Sequence, residues 1–268
     1  MSTTHPAPDC ISPPLAPASL QPLLHEAAGR IDLQVLVECD STNLQLLAMA
    51  KNGAPAGTLL LAERQTAGRG RRGRRWHQGP QSLAFSLLWR LPAERPPSGL
   101  SLAVGLAIAE ALSAVAAHEA QLKWPNDVLL DGRKVAGILI ESAGTQAAGA
   151  RYVIGIGINL GDTEALPAEV AAIATGIPAA DRLQLLARVL DRLVVALDEF
   201  AAHGFAPLQS RWQMRNAYQD LAVNLFFAEG GDPVQGICRG VDTNGELLLE
   251  TATCLQTIAS GEVSLRLQ

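Results

Sequence analysis

The chain reads as an α+β protein of two parts, and three observations in its sequence predict this. Two long apolar runs, VAGILIE at 135–141 and YVIGIGINL at 152–160, have the character of central strands covered on both faces. The segment 181–204 repeats apolar residues at spacings of three and four, which predicts an amphipathic helix opened by Asp181 as cap and ended at Gly204. From about 221 the pattern changes to short strands punctuated by Gly230-Gly231, Asn244-Gly245 and Ser260-Gly261, with no room for a helix. A large domain over 31–220 and a small all-β domain over 221–268 are therefore expected, and 268 residues with 48% hydrophobic content suffice for a sizeable core.

Taken in order, residues 1–30 hold six prolines and lack an apolar run behind a basic start. They are expected to form a disordered tail, not a secretory signal. LQVLVE at 33–38 predicts a strand, after which Ser41 or Thr42 caps a helix running to Gly53. TLLLAE at 58–63 and LAFSLLW at 83–89 predict strands on either side of an arginine-rich loop, which places that loop at one end of a sheet, where ligand loops commonly sit. The apolar segment 100–117 carries Glu110 and is rich in Ser and Ala, so a buried helix is expected in place of a membrane span. Short strands follow around 122–124 and 128–130, and no internal repeat is visible.

Composition narrows the function. A net charge of −5 points away from general nucleic-acid affinity, because cations cluster only over 69–75. Cys10, Cys39, Cys238 and Cys254 lie far apart without CxxC spacing, and His5, His25, His77, His118 and His203 are equally scattered. That pattern fits reduced thiols in a cytoplasmic protein and argues against a zinc site. Neither a Ser-His-Asp nor a Cys-His arrangement is apparent, so no covalent enzyme intermediate is expected.

Four strings carry candidate chemistry. Residues 68–75, GRGRRGRR, hold five arginines and three glycines. Glycines let the backbone approach a ligand, and guanidinium forks match the oxygens of a phosphate or carboxylate; a solvated basic run or a nucleic-acid patch is the alternative. In KWPND at 123–127, Lys123 can reach a phosphate, Pro125 stiffens a turn, and Asn126 and Asp127 offer oxygens to Mg²⁺ or to an incoming amine. The same residues also suit an Asx turn between two strands. In GRKVAGI at 132–138, Lys134 follows a turn at Asp131-Gly132 and opens an apolar strand, which gives its ammonium a rigid base, while Gly137 keeps the backbone open. DSTN at 40–43 reads as a helix N-cap, and the Gly155, Gly157, Asn159 spacing is weak evidence alone.

Together these strings, in this order and spacing, resemble the bacterial biotin protein ligases, and GICRGVDTNGELLLE and GEVSLRL are similar to that family's small C-terminal domain. The resemblance runs from about residue 31 to the end. It implies a class II synthetase-like mixed sheet with helices on one side, followed by an SH3-like barrel. It also implies that ATP, with Mg²⁺, converts biotin to biotinoyl-5′-AMP, and that a lysine of a biotin carboxyl carrier domain, such as that of acetyl-CoA carboxylase, then takes the acyl group.

Residue roles follow from the same resemblance. Ser41, Thr42, Asn43 and Gln65 match the ring-binding positions. Arg69, Gly70 and Arg71 belong to a loop that folds over biotin and the adenylate, with Arg71 joining carboxylate and α-phosphate. Lys134 lies on the reacting groups beside Gly137. Arg72, Arg74 and Arg75 are either solvated or on outer phosphates, and Trp76 either meets adenine or sits in the core. Lys123, Asn126 and Asn159 are nucleotide contacts, and Asp127 accepts a proton from the target lysine. A lipoate ligase or octanoyl transferase is the alternative within the reaction class. About 30 proline-rich residues before the first strand cannot build a recognition-helix domain, so the type without a DNA-binding domain, with no repressor function and no DNA or membrane partner, is expected. Monomer and homodimer are both left open.

Overall fold

The computed structural model of the protein describes residues 15–146, 149–177, 181–227, 230–259 and 263–268. Its larger sheet has seven strands in the order β1-β2-β3-β7-β6-β5-β4. β1 (Asp32–Cys39) runs parallel to β2 (Thr58–Gln65), and every other neighbour is antiparallel: β3 (Leu83–Leu91), β7 (Gly149–Ile158), β6 (Arg133–Gln146), β5 (Asp127–Leu130) and β4 (Gln121–Lys123). The sheet is thus mixed, as expected.

Side chains alternate between its faces with the period of two that a pleated strand imposes. Leu59, Leu61, Phe85, Leu87, Ile154, Ile156 and Ile158 join the main core with helices α3 (Leu100–Ser113) and α5 (Arg182–His203). Leu60, Leu88 and Val153 form a smaller cluster with Leu46 and Ala50 of α2 (Thr42–Lys51). Helices therefore cover both faces, correcting the one-sided arrangement that the resemblance implied. The reason is local: β2 and β3 are apolar at successive positions, so each face needs a cover. α2 covers only part of its face, and the remainder becomes the site.

Residues 15–30 are not a disordered tail. α1 (Pro17–Leu20) and a following 3-10 turn bury Leu15, Leu20, Leu24 and Ala27 in the main core. Asp191 of α5 accepts hydrogen bonds from His25 N and Ala27 N at 3.0 and 2.9 Å, and Arg30 pairs with Asp198. Pro17 and Pro22 stand in the first turns of these short elements, where a missing N–H costs nothing. Proline content alone misled here, because leucines spaced between the prolines find a core. Residues 1–14, with His5 and Cys10, lie outside the described residues.

Asp181 caps α5 as expected, its Oδ1 accepting from Leu183 N at 2.9 Å and Gln184 N at 3.0 Å, and Gly204 ends the helix. α3 stops at Ser113, four residues before the expected end. Two further short helices, α4 (Ala168–Ala171) and α6 (Gln209–Gln213), complete the large unit. No helix among the described residues is long and apolar enough to cross a membrane.

The smaller sheet is wholly antiparallel, in the order β11-β10-β9-β8-β12, with β8 (Ala222–Phe227), β9 (Val234–Val241), β10 (Leu247–Glu250), β11 (Leu255–Ile258) and β12 (Val263–Leu267). Its Val223, Leu225, Leu247, Leu249 and Leu265 belong to the same core cluster as the larger sheet. The indole N–H of buried Trp124 donates to Gly245 O at 3.2 Å, so the β9–β10 turn is fastened to the KWPND segment.

Candidate active site

On the face that α2 leaves open, two cross-strand rows have glycines at their centres. In one, Ala84, Gly157, Gly137, Asp127 and Lys123 stand side by side across β3, β7, β6, β5 and β4; in the other, Ser86, Gly155 and Leu139 do so. Glycines at paired positions make a floor on which other groups rest directly. A Cβ on Gly155 would collide with Asn43 Oδ1, and one on Gly157 would collide with the Trp76 ring. These glycines are required by close approach, since neither has a positive φ.

A cavity of about 270 Å³ sits on this floor and collects every residue singled out from the sequence. Ser41, Thr42, Asn43 and Gln65 line one end; Arg69, Gly70, Arg71, Arg72, Arg74, Arg75 and Trp76 come from the loop; Lys123, Asn126, Asp127, Lys134, Gly137, Gly155, Gly157 and Asn159 come from the sheet and its turns. Segments separated by more than a hundred residues in the chain thus meet in one place.

The Ser41 end is neutral, polar and buried. Ser41, Thr42 and Asn43 are at most 4% exposed. Ser41 occupies the N-cap of α2, but its hydroxyl makes no capping bond, contrary to the expected cap. The cap comes from β2 instead: Gln65 Oε1 accepts Thr42 N at 2.8 Å. Ser86 Oγ bonds Thr42 Oγ1 at 2.8 Å and Asn43 Oδ1 at 2.6 Å. Asn43 Nδ2 donates to Leu139 O at 3.2 Å and Glu141 Oε2 at 2.9 Å. With both amide hydrogens used, the Asn43 carboxamide is held in one orientation. Ser86 and Glu141 were invisible to sequence reasoning, because a serine and a glutamate inside strand patterns carry no signal of their partners.

The opposite end is cationic. Lys134 Nζ forms an ion pair with Asp127 Oδ1 at 2.5 Å and lies 5.9 Å from the centre of the Trp76 ring. That Asp127 oxygen has no hydrogen bond of good geometry, so the contact is an ion pair held by charge rather than by a directed bond. Lys123 Nζ lies 5.6 Å from the Tyr218 ring centre. Burial pushes its ammonium below the ordinary lysine range; Asp127 opposes the shift, while Lys134, Arg266 and Arg74 reinforce it. Tyr218, which faces Lys123, and Val263, Ser264 and Leu265 of β12, which line the cavity, were not anticipated from sequence.

The arginine loop is a tight hairpin. Arg69 bridges Arg75, Gly70 N donates to Arg74 O at 2.7 Å, and Trp76 N donates to Gly68 O at 2.9 Å. The turn at its tip places Arg72 and Gly73 at φ 59° and 67°. Arg71 Nη1 donates to Asn126 Oδ1 at 3.2 Å, and Arg69 pairs with Glu141 at 3.1 Å. Arg75 is exposed, as in its solvated reading, and its Nη2 donates to Thr66 O at 2.6 Å.

Besides Asp127 Oδ1, two buried polar atoms at the cavity, Trp76 Nε1 and Asn159 Oδ1, have no hydrogen-bond partner. Orphaned polar groups of this kind mark where a ligand or water completes the bonding. The expected divalent-ion position at Asn126 and Asp127 does not fit a resident metal. Asn126 Nδ2 already donates to Ile138 O at 2.9 Å, its Oδ1 accepts Arg71, and Asp127 faces Lys134. No cluster of three or more metal-binding side chains occurs among the described residues.

A neutral polar pocket joined to a cationic pocket under one arginine loop defines a nucleotide-dependent ligase that activates a carboxylate. Comparison with known proteins gives the particular kind. Residues 36–159 match the Biotin/lipoate A/B protein ligase family, and residues 223–266 match the Biotin protein ligase C terminal domain. The Biotin--[acetyl-CoA-carboxylase] ligase of Mycobacterium tuberculosis is 35% identical over 95% of this chain and 97% of its own length. The Bifunctional ligase/repressor BirA of Escherichia coli is 38% identical over 89% of this chain and 76% of its own. The solved structure of the Aquifex aeolicus biotin protein ligase in complex with biotin and ATP superposes with a TM-score of 0.75 at 32% identity, covering 88% of this chain and 99% of that one. The chain belongs to the biotin protein ligase family.

Proposed function

We propose that the chain makes biotinoyl-5′-AMP from biotin and ATP and transfers the acyl group to a lysine of a biotin carboxyl carrier domain. The observation that carries this reading is the union, in one cavity, of the fixed neutral network around Thr42, Asn43 and Gln65 with the cationic row at Lys123 and Lys134. Biotin has a neutral ureido ring at one end and a carboxylate at the other, and the two ends of the cavity complement them. The match of 223–266 to the biotin ligase C-terminal domain favours biotin over lipoate.

In the first step the biotin carboxylate attacks the α-phosphorus of ATP, a new O–P bond forms, and pyrophosphate leaves. Negative charge gathers between two anions, and Lys134 and Arg71 offset it. Lys134 then exchanges Asp127 for the ligand, which frees Asp127 to accept a proton when the carrier lysine attacks the acyl carbon and AMP departs. Trp76 and Asn159, each with an orphaned atom, serve the nucleotide. Magnesium would be held by the phosphates of ATP, since among the described residues Asn126 and Asp127 are already engaged with Arg71, Ile138 and Lys134. Free Cys39, Cys238 and Cys254 suit a reducing, cytoplasmic setting.

The test is direct. Pure protein is incubated with ATP, Mg²⁺, a lysine-bearing carrier domain, and either biotin or lipoate, and the carrier is weighed. A mass gain of one biotinoyl group with biotin alone is expected; a lipoyl gain, or none, overturns the reading.

A further inference from the structure

We infer that Glu141 is a positioning residue that latches the arginine loop to the ring-binding end of the cavity, an inference that rests on the reading just given. Glu141 does not line the cavity. Its carboxylate instead joins two groups that do. Oε2 accepts Asn43 Nδ2 at 2.9 Å, and Oε1 and Oε2 lie 3.1 and 3.3 Å from Arg69 Nη1. Asn43 stands on the rigid start of α2, whereas Arg69 belongs to the hairpin that covers the cavity.

The geometry makes this a joint between a fixed wall and a lid. Glu141 stands on β6 opposite Val153 of β7, so the sheet fixes its base. Its side chain is 23% exposed and that of Arg69 is 40% exposed, a depth at which a charge pair is partly shielded from water. The hairpin carries five arginines over 69–75, whose mutual repulsion favours opening. Glu141 reaches this hairpin from the sheet through Arg69, so it supplies countercharge before any substrate phosphate does. The same carboxylate orients Asn43, so the contact that holds the lid also sets the ring pocket.

Glu141→Gln keeps an oxygen for Asn43 while removing the charge that faces Arg69; Glu141→Ala removes both. In ligand-free protein, trypsin is expected to cut after Arg71, Arg72, Arg74 and Arg75 about three- to fivefold faster in Glu141→Gln than in wild type, the population change an ion pair of this exposure supports. Arg69→Gln should speed cleavage to the same extent, and the double variant should add nothing to either single change, because both break one contact. In pyrophosphate release, Glu141→Gln should leave the KM for biotin within about twofold of wild type, whereas Glu141→Ala should raise it about tenfold, as expected for one hydrogen bond lost to a buried amide.

Cleavage of Glu141→Gln at the wild-type rate, or additive effects in the double variant, overturns the latch. Equal KM values for the Gln and Ala variants overturn the coupling to the ring pocket. The proteolysis uses no biotin and no ATP, so a wild-type protein that fails to release pyrophosphate overturns the proposed function while leaving the latch to be judged on its own result.

Discussion

The Trp76 ring lies against Gly157, so closely that a single methyl group on that glycine would occupy the space of the indole. The contact joins the end of the arginine hairpin to the floor of the sheet. It also ties lid and floor to the same residue whose indole N–H is buried without a partner.

Gly157→Ala is therefore expected to displace Trp76 and with it the nucleotide end of the cavity. Overpacking of this kind costs about 1–3 kcal/mol of stability. ATP-dependent pyrophosphate release should fall much more than stability does. Denaturant melting together with a pyrophosphate assay measures both, and an active Gly157→Ala protein with wild-type tryptophan fluorescence would show that the ring is not held there.

Lys134→Ala should abolish most adenylate formation and leave the fold intact. An ammonium aimed at developing charge contributes roughly 2.7–4 kcal/mol in comparable sites. Asp127 loses its partner, but it remains partly open to solvent, so the chain tolerates the loss. Pyrophosphate release within about threefold of wild type is the outcome incompatible with this role.

Arg71→Gly separates holding the intermediate from making it. Loss of a charge-assisted contact, worth roughly 1.5–3 kcal/mol, should let the adenylate escape about ten- to a hundredfold faster. The variant should still consume ATP and biotin yet label bystander lysines, which is read as biotin on serum albumin added to the mixture. A variant that is inert, or as selective as wild type, assigns the phosphate to Lys134 or Arg69 instead.

Lys123 gives a pH signature. Its folded pKa is lowered, chiefly by burial, so between the folded and unfolded values the unfolded chain binds more protons and stability rises with pH. Below the folded pKa the buried ammonium is a constant cost. Lys123→Met should therefore raise Tm at pH 7, and the gain should shrink as pH rises toward about 10, where free lysine also loses its proton. Melting curves of both proteins across that range test it; a gain independent of pH contradicts the burial of a charged Lys123.

Leu20→Ala tests the ordered N-terminal segment. Leu20 is 1% exposed within the main core, so its truncation should cost about 2–5 kcal/mol, measured as a lower urea midpoint. An unchanged midpoint would return this segment to the status of a tail.

Much of the site was legible because its chemistry is written in short, unusual strings. Five arginines among three glycines, and a lysine behind an Asp-Gly turn, are rare enough to be read without a structure. Ser86, Glu141 and Tyr218 were not legible, since each is ordinary in its own neighbourhood and acts only through a residue distant in sequence. Glu141 meets Asn43 across 98 positions and Arg69 across 72.

Local pattern determined the elements: long apolar runs marked β6 and β7, period three to four marked α5, and paired turn residues marked the small sheet. These depend on neighbours along the chain, which the sequence states outright. Only the tertiary structure decided that residues 15–30 contribute to the core and that Gln65 rather than Ser41 caps α2. Burial and hydrogen bonding at those places are settled by groups that approach through space. A leucine between prolines is a tail residue or a core residue according to whether a groove exists to receive it, and that groove is built by α5, more than 150 residues further along the chain.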